Sequence, residues 1–310
     1  MNIKSSLNPD RRPNLLGIGA AKASTTWLAS VLSAHPDVFI PKQKELNALH
    51  YDDLDHRLVE YEEYFTPAKS EKVRGDFSVR YLSSKNAPTT AAKYVADSKI
   101  LMSVRNPVDQ IQSHYWHLLR QNFHQSVPVS PRPTLFEAIT LFPDLLLEPA
   151  LYGKHIARWL EEFTRDRFIF INLENLSEEP GNVLNDICRF LDIETYDFTN
   201  TLVSLTEKDA RAGVQPRQGW FGKAYPRIYQ AMTRGPLRVM KSLIGVRRTD
   251  ALKRSLKLRQ VSEAVFFQKG YEKLDEEGRS RLLDIIRDDL LYFGRLTGFD
   301  VTPWMIEKKN

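Results

Sequence analysis

The chain has 310 residues, 42% of them hydrophobic, enough to bury a large core as one α/β domain with peripheral helices. Lys plus Arg number 44 and Asp plus Glu 39, a formal charge of +5 that is too small to indicate nucleic acid and suits a small anionic ligand equally well. The single cysteine excludes an internal disulfide, the polar start lacks the apolar core of a signal peptide, and no apolar run approaches a membrane span, so a cytoplasmic protein with no transmembrane segment is expected.

Residues 1–13 are polar and read as a flexible N-terminus. Leu15–Ile18 is a short apolar run suited to an interior parallel strand. Thr26–Ala34 follows with Trp27, Leu28, Val31 and Leu32 at helical spacing, and ends before His35-Pro36. Val38–Ile40 and Lys72–Phe77 read as further strands, with a polar loop at Lys42–Asp53 between them. Lys99–Val104 is the clearest buried strand. It runs into Arg105-Asn106-Pro107, where Asn106 suits an N-cap, Pro107 the first helical position and Asp109 the positive end of the helix dipole.

Gln121–Pro133, rich in His, Ser and Pro, reads as a mobile insertion. Tyr152–Phe163 and Gly181–Leu191 are helical, with a strand at Arg167–Asn172 between them. This alternation predicts a central parallel sheet flanked by helices over residues 14–200. Residues 201–310 then supply a polar loop and C-terminal helices, the last capped by Asp275 and carrying Leu282, Ile286 and Leu290 at four-residue spacing.

The chemistry concentrates where the first strand meets its helix. In Gly17-Ile18-Gly19-Ala20-Ala21-Lys22-Ala23-Ser24-Thr25-Thr26-Trp27, small residues let the backbone approach an anion. A helix N-terminus presents unpaired N–H groups, Lys22 adds charge, and three successive hydroxyls add donors. The Walker A pattern fails: position 22 holds Lys instead of Gly, and position 23 holds Ala instead of Lys. Asp76 is the sole weak candidate for a Mg²⁺-holding strand carboxylate. A second anion grip follows Lys99–Val104, where Arg105 ends the strand and Ser113 lies two turns into the next helix.

Together these motifs resemble the PAPS-dependent sulfotransferase family, in its bacterial and carbohydrate branch. KASTTWL is similar to the family's loop for the 5′-phosphosulfate and VRNPVDQIQSHY to its segment for the 3′-phosphate. HPDVFIPKQKEL, GDFSVRYL and LTGFDVTPW extend the likeness over residues 14–304, most weakly from 205 to 265. The resemblance implies a P-loop-like sulfotransferase fold forming a single domain over residues 1–310, with PAPS as donor and no metal requirement. Lys22 would contact the 5′-phosphate and the leaving oxygen, with Ala23, Ser24, Thr25, Thr26 and Trp27 completing that loop. Arg105 and Ser113 would hold the 3′-phosphate, and Arg217 would close over the nucleotide. Glu45, after Lys44, would be the general base, with His50 in reserve.

Ser24 stands where the family has Gly, which implies strain if that position needs positive φ. Ala48-Leu49 replaces the aromatic pair that often follows the Lys-Glu motif. The acceptor is expected to be a glycan, glycolipid or small-molecule alcohol or amine. An ATP- or GTP-dependent kinase and a non-catalytic nucleotide-binding module are the rival readings. Cys188, in an apolar frame, reads as a core thiol, His114 and His117 as helix-surface residues, and the basic run Arg247–Arg259 as a solvated helical face.

Overall fold

The computed structural model describes residues 11–51, 54–120, 133–203, 214–216, 267–269 and 272–305. Its contacts define two compact units, one drawn from Met1–Ile111, Glu137–Ala210 and Leu274–Asn310, the other from Gln112–Phe136 and Arg211–Lys273. Arg217 and the basic run 247–259 lie outside the described residues, as does all but the last residue of the insertion at 121–133.

The first unit is an α/β layer structure around five parallel strands: β1 (Leu15–Gly19), β2 (Val38–Phe39), β3 (Val73–Phe77), β4 (Lys99–Val104) and β5 (Phe168–Asn172). Numbering only helices of eight or more residues, the chain adds α1 (Thr25–Leu32), α2 (Leu54–Glu63), α3 (Ala87–Tyr94), α4 (Pro107–Arg120), α5 (Tyr152–Glu162), α6 (Pro180–Phe190) and α7 (Glu276–Thr297). Among the described residues the expected strands and helices are present, with ends displaced by one or two residues, and the helices expected on either side of the basic run 247–259 lie outside the described residues. The second unit contains an antiparallel pair, β6 (Val214–Pro216) with β7 (Phe267–Lys269).

Strand order in the large sheet is β2-β3-β1-β4-β5. The chain therefore leaves β1 toward one edge and returns past it to β4, which opens a crevice beyond the carboxyl end of β1. All five β1 residues are buried, as a strand covered on both faces requires. A Cβ on Gly17 would overlap the Phe77 ring, so this glycine serves the packing of β1 against β3.

On one face of the sheet, Leu28, Val31 and Leu32 of α1 pack with Leu101, Ile171 and the α6 residues Leu184, Ile187 and Cys188. Cys188 is thus the core thiol expected from its neighbours. Against β5, the stacked pair Phe168–Phe170 meets Phe293 of α7. Asp289 on α7 accepts from the Gly153 and Lys154 amides at 2.9 and 2.7 Å, capping α5, whose preceding residue offers no side-chain cap. Asp275 caps α7 itself through Gly278 N at 2.8 Å. Among the described residues, no helix is long and apolar enough to cross a membrane.

Candidate active site

The turn after β1 joins left-handed backbone to the N-terminus of α1. Lys22 (φ 65°) and Ser24 (φ 59°) both adopt left-handed backbone, a conformation that costs a non-glycine residue about 1–2 kcal/mol. Ser24 is the N-cap of α1 yet supplies no side-chain hydrogen bond to the first turn, so that helix terminus keeps its amides uncapped by a side chain. The strain implied by Ser in the family's glycine position is therefore present.

The turn is anchored from below by β4. Ala20 N donates to Ser103 O at 2.6 Å, and Ser103 Oγ donates to Ala23 O at 2.6 Å. Arg105, one residue past β4, reaches to 3.5 Å from Lys22 O, while its own carbonyl accepts from the Tyr152 hydroxyl at 3.1 Å. Lys22, Ser24, Thr25, Thr26 and Arg105 are thus gathered around one turn; Ala23 and Thr25 are buried and Ser24 and Thr26 exposed.

Glu45 is brought to the same place from the segment after β2. It too has positive φ, 60°, followed by Asn47 at 55°. Its amide donates to Phe77 O at 3.1 Å and its Oε2 accepts from Val79 N at 2.9 Å, fixing it on the strip that leaves β3. Lys44 Nζ donates to Thr26 Oγ1 at 3.1 Å and lies 3.8 Å from Glu45 Oε1. The Glu45 side chain remains 38% exposed, enough to be reached by a solute.

Asp76 underlies this arrangement. It is fully enclosed, accepting from Tyr61 OH at 2.8 Å, Tyr81 OH at 2.6 Å and Ser78 Oγ at 2.9 Å. Ser78 Oγ in turn accepts from Asn47 N at 3.1 Å, and Tyr81 OH from Leu49 N at 3.3 Å, so the Glu45 segment rests on the Asp76 network. A carboxylate so occupied is a structural hub and does not match the strand carboxylate of a Mg²⁺ site.

Burial sets the protonation of these groups. It raises the Glu45 carboxyl above its ordinary range, against the opposing pull of the Lys44 ammonium and the Val79 N–H. It lowers Lys44 and raises Asp76 in the same way. His50 is lowered by burial and by Arg80, whose Nη2 stands 3.2 Å from His50 Nε2. An arginine can only donate, so Nε2 carries the lone pair and is already engaged. Glu45 is accordingly the better-placed base.

Ser113 lies on the part of α4 that belongs to the second unit, as do His114 and His117, whose ring centroids are 6.3 Å apart. Among the described residues, no three His, Cys, Asp or Glu side chains are grouped to hold a metal ion. The contacts that Lys44, Val79 and the Asp76 network make around the Glu45 segment were not disclosed by the sequence. The one local signal was the D-F-S-V-R-Y run, whose alternation carries Asp76, Ser78 and Arg80.

A family model described as the sulfotransferase domain matches residues 12–211. The chain is 32% identical over 212 residues to a protein of Mus musculus named bifunctional heparan sulfate N-deacetylase/N-sulfotransferase 1, over 62% of this chain and 24% of the relative. A Caenorhabditis elegans protein of the same name is 26% identical over 193 residues, covering 60% and 23% respectively. The chain thus matches about a quarter of the length of these relatives. A sulfotransferase structure from Alicyclobacillus acidocaldarius aligns over 95% of this chain and 99% of its own at 20% identity, with a TM-score of 0.63, a likeness of fold.

Proposed function

This chain belongs to the sulfotransferase family, and on that premise we propose that it moves a sulfuryl group from PAPS to a hydroxyl or amine of a glycan-type acceptor, with Glu45 as general base. The observation that carries the reading is the join between the two halves of the site: Lys44 reaches Thr26 of the anion turn while its neighbour Glu45 is fixed by Val79 N–H. Donor loop and proton acceptor are held by one short segment.

The fit to a 5′-phosphosulfate rests on the α1 terminus that no side chain caps and on Lys22 in the turn before it. When bound there, PAPS supplies the activated sulfuryl group. Lys22 and the α1 amides neutralise charge that develops on the bridging oxygen, an effect worth about 10²–10³ in rate per donor removed. Arg105, fixed by Tyr152 at its carbonyl, offers a planar fork to the 3′-phosphate. Ser113 and Arg217 enter this reading through the motif likeness alone. Glu45 takes the acceptor proton as the oxygen or nitrogen attacks in line. The kinase reading is disfavoured because Asp76 is consumed by Tyr61, Tyr81 and Ser78.

The glycan choice draws on the heparan sulfate relatives, and a small-molecule alcohol is the remaining alternative. The test is transfer of labelled sulfate from PAPS to a panel of amino-sugar and hydroxylated oligosaccharides. Incorporation that requires Lys22 supports the proposal. PAP binding with no incorporation into any acceptor would leave a nucleotide-binding module instead.

A further inference from the structure

Arg80 is the cation beside Glu45 that the donor chemistry does not use. It follows Val79, whose N–H holds the Glu45 carboxylate, and its charge is close enough to favour the ionised form of that carboxylate. Its side chain is exposed, and its hydrogen bond is to a neutral acceptor, His50 Nε2 at 3.2 Å. No carboxylate among the described residues lies within ion-pairing distance of it. The guanidinium is therefore held in position beside the Glu45 carboxylate, with no close ion pair among the described residues.

An aromatic pair lies beside it. His50 packs edge-on against Tyr51, with ring centroids 5.2 Å apart. Tyr51 is 39% exposed and carries the Arg57 guanidinium 4.8 Å from its ring centre. The aromatic pair missing at Ala48-Leu49 is thus supplied two residues later by His50-Tyr51, with Leu49 turned fully inward. An aromatic edge and a fixed fork of N–H donors lie together beside Glu45, and the fork complements negative charge.

We propose that Arg80 is a specificity-determining residue that grips an anionic group, a carboxylate or a sulfate ester, on the acceptor beside the position being sulfated. This rests on the reading of Glu45 as the base. The grip aligns the acceptor at Glu45 and selects acidic over neutral glycans, since a neutral acceptor leaves the fork unpaired.

The test uses three probes with the PAP-loaded full chain: a hexasaccharide with glucuronate at every second sugar, its carboxyl-reduced counterpart, and that counterpart bearing O-sulfate groups. The acidic probe is expected to bind at least about tenfold tighter than the reduced one. Regained affinity in the O-sulfated probe assigns a grip for either anion, and its absence assigns one for carboxylate. Arg80→Gln should abolish the preference with PAP affinity unchanged, while Arg80→Lys should keep part of it. Equal binding of all three probes by the wild type, or a preference that survives Arg80→Gln, overturns the assignment. Labelled-sulfate transfer to the same probes separates the two proposals. Equal transfer to acidic and neutral probes preserves sulfuryl transfer and removes the grip, whereas an Arg80-dependent binding preference without transfer does the reverse.

Discussion

Lys44 donates to Thr26 Oγ1 at 3.1 Å, and through that contact the segment bearing Glu45 is tied to the first turn of α1. The tie also places an ammonium 3.8 Å from the Glu45 carboxylate. Lys44→Met removes both. Because Lys44 is the largest influence lowering the Glu45 pKa, its loss should move the acid limb of kcat/KM to higher pH. A pH–rate profile checks this; an unmoved limb would separate Lys44 from the titration of the base.

Lys22 and Arg105 are assigned to different ends of the same donor. Lys22→Ala is expected to lower kcat by about 10²–10³, since its charge matters most as the leaving oxygen becomes negative. Arg105→Ala should instead weaken PAP binding by about tenfold or more, with a smaller effect on the rate at saturating donor. Calorimetric titration of PAP and saturated turnover distinguish the two outcomes.

Ser24 sits at φ 59° and ψ 23° without making a cap bond. Ser24→Gly removes the Cβ penalty at that position and should stabilise the fold by about 0.5–1 kcal/mol after glycine's greater unfolded-state entropy is set against it. Denaturant unfolding measures the change. A loss of stability would mean that the hydroxyl has a structural partner in solution.

Asp76→Ala strips the partners from three buried hydroxyls, two of which also support the Glu45 segment. The expected cost is about 3 kcal/mol. Turnover should fall beyond what unfolding explains, because Asn47 and Leu49 lose their anchored acceptors. Activity per folded molecule, taken from parallel unfolding and rate measurements, provides the check.

Much of the fold was legible because its signals are local. β1 is an unbroken apolar run, β4 carries Ile100, Leu101 and Met102 in succession, and the cap at Asp275 follows from residue type and spacing. Helix α2 also carried its signal, with Leu54, Leu58 and Tyr61 at helical spacing, but its polar flanks concealed it. The site was legible only in part. Lys22, Glu45 and Arg105 stand out as charged residues at element ends, whereas their meeting depends on β3 and β4 flanking β1, a fact of sheet order that no short window contains. The left-handed backbone of Glu45 was equally hidden, since glutamate has no preference for it and the Phe77 and Val79 contacts impose it.

The central claim is that Glu45 takes the acceptor proton during sulfuryl transfer. Burial raises its pKa, so activity should be lost as pH falls through a value above the ordinary glutamate range of about 4.3. The most direct measurement is saturated labelled-sulfate turnover of Glu45→Gln, alongside its PAP affinity. The account predicts a loss of about 10²–10⁴ in kcat with PAP binding retained. Turnover within about threefold of the wild type, well short of the contribution expected of a general base, would contradict it.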